Sequence, residues 1–441
     1  MHDFDLIVIG SGPGGQRAAV QAAKLKKNVA IVEGRNLGGS CLHWGTIPSK
    51  SLREAALQLD RNDPGALQKA QEISQKVILA DGEIIRLQLE RNKVEVLHGF
   101  ASFIDPHRIE VKAANTREIS AGSFVLATGN RPRRPDGICF EPPIYDSDTI
   151  LSLKRKPKSL AVMGAGVIGC EYASIFAALG AEVSLYDRRK DLLRDLDLEI
   201  LEGVKTAFVR NGISLRLGES QEVAIVGSQA KIKTVHDEKM FDAVLYCQGR
   251  KPNVEELRLD RVGLSITDKG TIAVNSKYQT SVPHIYAVGD LQGMPGLATS
   301  ASEQGRMASA EIFGLSHAEF PETFPYGIYT IPELSWVGKT ESQLKEQAIP
   351  FAVGRARFRE LARGKILGDE DGFLKILFHR ETRKILGVHA MGTQATELIH
   401  IGQVAMALGG GLDFFVSNVF NYPTFAEAYK VAAFQAFNEL S

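Results

Sequence analysis

An α/β fold, with two doubly wound units of one design and a final α+β domain, is predicted by three features of the sequence. The first is a strand, glycine turn, helix, strand and terminal acid between residue 4 and Glu33. The second is the same pattern, at the same spacing, between residue 160 and Asp187. The third is a change of character after Pro325, where a run of strands is followed by helices.

Residues 4–9 are apolar and lead into glycine, which predicts a short buried parallel strand. Gly10-Ser11-Gly12-Pro13-Gly14-Gly15 follows, then a helical run from Gln16 to Lys26 and a strand from Asn28 to Val32, ending at Glu33. In that context GxGxxG is a dinucleotide fingerprint. Gly10 allows the turn, Gly12 lets the backbone approach a pyrophosphate, and Gly15 lets the helix pack on the strand. The helix N-terminus offers partial positive charge to the phosphates. Glu33 can accept hydrogen bonds from a ribose diol.

The stretch from Leu37 to Lys50 has a Gly-Gly turn, Cys41, Thr46 and a Pro48-Ser49-Lys50 entry into a helix. Pro48 is suited to a helix start, where its missing N–H costs nothing. A lysine in the first turn opposes the helix dipole. Lys50 is therefore expected to have a partner or a role, the alternative being a solvated side chain. Residues 51–92 read as helix interrupted by a turn at 62–65, and 94–125 as short strands running into Ala127-Thr128-Gly129. Four prolines make 130–143 a crossover.

The opening pattern then repeats. A strand at 160–163 meets Gly164-Ala165-Gly166-Val167-Ile168-Gly169, a helix runs from about Cys170 to Leu179, and a strand from Glu182 to Tyr186 ends at Asp187. Two such units predict two dinucleotide sites, with Gly164, Gly166 and Gly169 in the roles of Gly10, Gly12 and Gly15. Asp187 suits a bare ribose diol, whereas Arg188 and Arg189 suit a 2′-phosphate. Having both suggests that NAD and NADP are each accepted; a solvated charge run is the alternative. Residues 204–247 read as alternating helix and strand, closing at Gly249-Arg250-Lys251-Pro252-Asn253. The first unit then resumes with a strand at 285–288, Gly289-Asp290 and a helix over 298–313. Beyond Pro325 come strands at 335–338, 351–358, 373–378 and 385–390, a helix at 395–408, a Gly409-Gly410-Gly411 break and a last helix over 425–440. The expected division is 1–149 with 251–322, then 150–250, then 323–441.

The totals agree with a multidomain globular chain. Its 441 residues are too many for one ordinary domain. Lys plus Arg and Asp plus Glu are both 52, so no net charge points to nucleic acid or to an anionic membrane. The four cysteines form no Cys-x-x-Cys pair and no secreted disulfide framework. With an apolar strand almost at the start, no bilayer-length apolar run and no room for a signal peptide, a cytoplasmic protein is expected.

These motifs resemble the class I pyridine nucleotide-disulfide oxidoreductases, the group of dihydrolipoamide dehydrogenase and glutathione reductase, over essentially the whole chain. The resemblance rests on Gly10 to Gly15, Gly39 to Lys50, Ala127-Thr128-Gly129, Gly164 to Glu171, Gly249 to Asn253 and Thr280 to Asp290. It implies FAD on the first unit, with Glu33 at the adenosine ribose and Asp290 at the flavin side chain. It implies NAD or NADP on the Gly164 unit, and a homodimer formed by the last domain. Cys41, Thr46, Lys50, Thr128, Gly129 and Gly249 then line the cofactor sites. Lys50 and Glu171 pair beside the flavin as catalytic residues, with His43 and Trp44 packed nearby.

Two departures bear on activity. Thiol–disulfide exchange needs an attacking thiol and a resolving partner, and the second cysteine of the family is Thr46 here. The family's C-terminal His-Pro-Thr is Tyr422-Pro423-Thr424 here, with Glu427 retained. Phenols titrate at about pH 10, too high to shuttle a thiol's proton at neutral pH. Without thiol machinery the chain is similar to the family's soluble, FAD-dependent transhydrogenase branch, which shares the 41–50 segment, Asn421 to Thr424, Tyr145 to Asp148 and Gly327 to Glu333. That implies ping-pong hydride transfer between NADPH and NAD+. The alternatives are a diaphorase passing electrons from NAD(P)H to quinones, dyes or oxygen, and a non-catalytic redox-sensing flavoprotein. Cys41 is expected to be a packing residue, a redox-sensitive thiol being the alternative, and His400, in an apolar run, a satisfied interior histidine.

Overall fold

The two glycine-turn repeats become two separate sheets in the computed structural model, which describes residues 2–194, 196–293, 295–316, 319–321 and 323–440. In the first sheet Glu95–His98, Val29–Glu33, Phe4–Ile9 and Arg117–Leu126 run parallel in that order. Phe4–Ile9 lies in the middle of the parallel part and four of its last five residues are buried in sequence, as an apolar run without alternation requires. Arg117–Leu126 is long enough to pair also with Arg108–Lys112, which pairs with Phe100–Asp105. Ile285–Ala287 returns to this sheet, parallel to Arg117–Leu126. The helix after it, Ala298–Ile312, crosses Pro13–Lys24 closely: a Cβ on Gly305 would lie 2.0 Å from the Gly14 carbonyl oxygen.

The second sheet is wholly parallel, in the order Ile213–Leu217, Glu182–Asp187, Ser159–Met163, Ala243–Tyr246, Ile144–Asp146. Where the chain leaves the first unit, Asn130–Pro132 pairs antiparallel with Arg250–Pro252, where it comes back.

Several boundaries differ from the sequence reading, each for a local reason. The first helix spans Pro13–Lys24, with Pro13 at a helix start, and it stops before Lys26, whose φ is +60°. The matching helix spans Val167–Ala178, so it too begins directly after the second glycine of its turn. A short helix, Gly39–His43, precedes Thr46–Gln58. Pro48 is thus the third residue of the longer helix rather than its start, and Lys50 lies just past the first turn. Residues 204–247 do not alternate helix and strand. A helix Leu198–Arg210 and a strand Ile213–Leu217 lead into an antiparallel meander of Glu222–Val226, Gln229–Lys233 and Glu238–Phe241. Its first hairpin closes on the two residues Gly227 and Ser228, a turn signal that the sequence carried.

The C-terminal domain is a five-stranded antiparallel sheet in the order Tyr326–Ile328, Leu334–Gly338, Ile385–Met391, Phe373–His379, Phe351–Arg357. Helices Ala395–Ala407 and Glu427–Leu440 share its core. The last helix lies against the edge strand because Gly354 has no side chain: a Cβ there would sit 2.0 Å from the Ala432 carbonyl oxygen. Three six-residue helices, Glu341–Glu346, Ala362–Leu367 and Leu412–Ser417, are too short for their periodicity to be legible. The expected boundary residue Glu322 lies outside the described residues. No described helix is long and apolar enough to cross a membrane.

Candidate active site

Both glycine turns have the same stereochemistry. Gly10 and Gly164 have φ of +104° and +113°, a backbone conformation that favours glycine. A Cβ on Gly15 would lie 1.9 Å from the Gly10 carbonyl oxygen, and one on Gly169 would lie 1.8 Å from that of Gly164. Gly12 and Gly166 have no atom within 4 Å of where a Cβ would sit, so each backbone is open to an incoming group. Each of these glycines is the N-cap of its helix, without a side-chain cap and without an acid in the first turn. The uncapped N–H groups and the helix dipole make two ready anion sites.

The acids at the strand ends are held alike but not equally. Ser11 donates to Glu33 Oε2 through its N–H at 3.0 Å and its hydroxyl at 2.5 Å, and the Arg35 N–H donates to Oε1 at 2.8 Å. A carboxylate has about four acceptor positions, so Glu33 keeps room for a ribose hydroxyl. Asp187 accepts the Ala165 N–H at 2.7 Å and the Arg189 N–H at 2.8 Å. It also accepts the Arg189 guanidinium through Nε at 3.0 Å and Nη2 at 2.8 Å. Burial alone would raise the Asp187 carboxyl, but these hydrogen bonds hold it below the usual carboxylate range. Arg189 is therefore folded back onto Asp187, and Arg188 is exposed.

Between the units lies a cavity of about 970 Å³, with walls drawn from both glycine-turn regions. Gly10, Gly12, Glu33, Cys41, Thr46, Lys50, Thr128, Gly129, Glu171 and Asp290 all line it. Asp187, Arg188, Arg189 and Gly249, with the glycines Gly164, Gly166 and Gly169 of the second turn, are not in its wall, and neither is Gly15, whose place is beneath the first turn. Thr128 joins the two stretches of the first unit: its hydroxyl donates to the Asn253 carbonyl at 2.6 Å, and Asn253 Nδ2 donates back to the Thr128 carbonyl at 2.9 Å. Burial pushes the Asp290 carboxyl up, against the opposing charge of Arg250 and a hydrogen bond from Asn130.

Lys50 Nζ donates to both Glu171 oxygens, at 2.8 and 2.7 Å. The Tyr329 N–H donates to Glu171 Oε1 at 2.9 Å, and Lys50 Nζ stands 4.9 Å from the Tyr329 ring centre. Glu171 is buried, so its charge needs this partner. Burial raises the Cys41 thiol, and a hydrogen bond with Thr46 opposes that only in part. Burial therefore disfavours the Cys41 thiolate, Cys41 and Thr46 both line the cavity, and all four cysteines are free. His43 binds the Leu37 carbonyl at 2.9 Å outside the cavity wall, whereas Trp44 lines the cavity. His400 is not interior: it is exposed, bound to Gln403 at 2.8 Å, and lines the cavity. Tyr422 is exposed, and Glu427 Oε2 is buried with no hydrogen-bond partner among the described residues, so the two form no dyad within one chain.

The family profile described as pyridine nucleotide-disulphide oxidoreductase matches residues 4–305, and that of the dimerisation domain matches residues 324–433. The chain belongs to the pyridine nucleotide-disulphide oxidoreductase family. Within this family it is 46% identical over 463 residues to a soluble pyridine nucleotide transhydrogenase of Mycobacterium bovis (strain BCG / Pasteur 1173P2), covering 100% of this chain and 98% of the relative. A protein of the same name from Enterobacter sp. (strain 638) is 44% identical over 461 residues, covering 100% and 99%. Among solved structures, a Cu(II) complex of the HOCl-induced flavoprotein disulfide reductase RclA from Escherichia coli has a TM-score of 0.92 at 26% identity, covering 98% of this chain and 99% of that one. LpdA from Mycobacterium tuberculosis shares the fold, with a TM-score of 0.89 at 24% identity over 98% and 99%.

Residues to which the sequence alone assigns no role also line this candidate site. Tyr329 fixes Glu171 through its backbone, and Asn130, Ser147 and Arg250 form one polar chain in the cavity wall. Gly327 to Glu333 and Gly249 to Asn253 had stood out as motifs, but a motif does not say which residues meet across a seam.

Proposed function

We propose that this chain catalyses hydride transfer between NADPH and NAD+ with FAD as the carrier and with no redox-active disulfide. The observation that carries the reading is a pair of matched glycine cradles beside one cavity in which the only cysteine, Cys41, faces the Thr46 hydroxyl. No second thiol is there to take electrons. The cradle geometry and the spare acceptor position on Glu33 fit FAD on the first unit, with its adenosine ribose at Glu33 and its side chain at Asp290. The second cradle fits NAD(H) and NADP(H) in turn, with the ribose at Asp187, Arg188 and Arg189. FAD, when bound, supplies the two-electron chemistry: it accepts hydride from a reduced nicotinamide and returns it to an oxidised one.

The chain's own part is binding, orientation and electrostatics. Lys50 and Glu171 form a closed ion pair, so they present a fixed dipole rather than a free charge, with one end anchored by Tyr329. Thr128 and Gly129 bond Asn253 and so tie the two stretches of the first unit together, and the Gly249 carbonyl accepts the Arg133 N–H where the chain crosses between the units. The proposed domains are 1–149 with 251–322 for FAD, 150–250 for NAD(P), and 323–441 for the interface. Leu408 and Val419 in this last domain are 82% and 92% exposed, which favours burial in a homodimer.

A diaphorase reading has one observation of its own. Phe320, Phe324 and Tyr326 line the cavity and continue into Trp336, with successive ring centres 5.6, 5.2 and 4.9 Å apart. Such a wall suits a flat aromatic acceptor. The test of the main reading is Cys41→Ser in steady state. Transhydrogenation is expected to stay within about twofold of wild type, with parallel initial-rate lines. A loss of tenfold or more would return the chemistry to the thiol.

A further inference from the structure

Arg250, in the cavity wall, joins the crossover from the first unit to the edge of the second sheet through its side chain. Its Nε donates to Asn130 Oδ1 and its Nη2 to the Asn130 carbonyl at 3.2 Å, both on the crossover from the first unit. Its Nη1 donates to Ser147 Oγ at 3.1 Å, just past the edge strand of the second sheet. A chain Asn130–Arg250–Ser147 thus runs in the cavity wall from the crossover of the first unit to the residue just past the edge strand of the second sheet.

The electrostatics differ from those of Lys50. The Lys50 ammonium is neutralised in direct contact by Glu171, whereas the nearest carboxylate oxygen paired with Arg250 is Asp148 Oδ1, at 3.7 Å. Arg250 hangs on neutral acceptors. Such bonds are directional, and they cost less to open than a buried ion pair. That combination fixes a geometry while allowing the seam to yield when a nucleotide enters or leaves.

We propose that Arg250 is a positioning residue for hydride transfer: its fork sets the register between the two dinucleotide units, and so the approach of the two redox rings. The proposal rests on the reading that FAD and a nicotinamide nucleotide occupy the two units. Reacting atoms must come within about 3–3.5 Å, and a misplacement of about 1 Å costs on the order of a hundredfold in rate. The rigid fork spreads its donors over Asn130 and Ser147 in one fixed plane, which a compact lysine ammonium does not reproduce.

The test uses the FAD-loaded protein carrying Arg250→Lys, Arg250→Met or Ser147→Ala. FAD content and the affinity for 2′,5′-ADP are expected to stay within about threefold of wild type. The anaerobic rate constant for flavin reduction by NADPH should fall about tenfold or more in both Arg250 variants, and the long-wavelength charge-transfer absorbance, which reports stacked rings, should fall with it. Ser147→Ala should move both readouts the same way by less. Rates and absorbance within about twofold of wild type in Arg250→Lys and Arg250→Met would overturn the proposal. So would parallel losses of FAD and 2′,5′-ADP binding, which would make Arg250 a structural staple. Should Arg250→Met fail to fold, Arg250→Lys and Ser147→Ala decide the matter. All readouts belong to reduction by NADPH, so a failure of NAD+ to reoxidise the flavin would defeat the transhydrogenase reading and leave this one standing.

Discussion

Asp187 is fully occupied at rest, with its acceptor positions filled by Ala165 and Arg189. A ribose diol and a 2′-phosphate must therefore both compete with the Arg189 guanidinium. The diol would displace it from Asp187, and the 2′-phosphate would draw it away as a partner. One flexible side chain can serve both nucleotides in this way. Charge-assisted hydrogen bonds contribute about 1.5–3 kcal/mol, so Arg189→Ala should weaken 2′,5′-ADP by about tenfold or more while AMP binds at least as well as before. Calorimetry with the two fragments measures this, and equal losses for both would remove Arg189 from 2′-phosphate recognition. The chemistry of Asp187, Arg188 and Arg189 was legible in the sequence. Their resting arrangement was not, because two arginines side by side do not say which one folds back.

Helix starts are the element on which the two sites depend. Pro13–Lys24 and Val167–Ala178 each begin at the glycine that faces the nucleotide, so their N–H groups are already aimed. The spacing of the glycines made the two units visible in the sequence, since it is set by a turn that only glycine fits. The starts were read three residues late because Gly14, Gly15 and Gly169 are themselves helical, against their propensity. The meander at 222–241 was missed for another reason: its strands are short and half exposed, with no long apolar run. Gly169→Ala tests the element. Its Cβ would meet the Gly164 carbonyl, so the helix start must shift. The protein should keep its FAD and lose nicotinamide nucleotide affinity by about tenfold or more. Unchanged nucleotide affinity would contradict the matched-cradle account.

At the scale of the whole molecule, the second unit is bound to the C-terminal domain by a buried charge cluster. Lys375 and Asp197 are 2% and 1% exposed, with their charged atoms 2.6 Å apart. Lys375 also meets Glu341 at 2.6 Å and Glu199 at 3.3 Å, and Arg355 bridges the same two glutamates. Asp197 caps the helix Leu198–Arg210, so the ion pair fixes that helix onto the sheet carrying Lys375. Removing one partner of such a pair costs about 3–5 kcal/mol. Lys375→Met should lower the thermal midpoint by roughly 5 °C or more; an unchanged midpoint would mean that the cluster contributes nothing net. Nothing local in the sequence around Lys375 announced this role, because its partners lie far away along the chain. Hydride transfer needs the two units to act together, and rapid mixing under anaerobic conditions follows both at once. The FAD-loaded protein is reduced with NADPH, freed of NADP+, and mixed with NAD+ while flavin absorbance and NADH formation are followed. The flavin should be reoxidised in step with NADH formation, one for one; flavin that stays reduced in the presence of NAD+ would mean that no hydride passes to the second nucleotide.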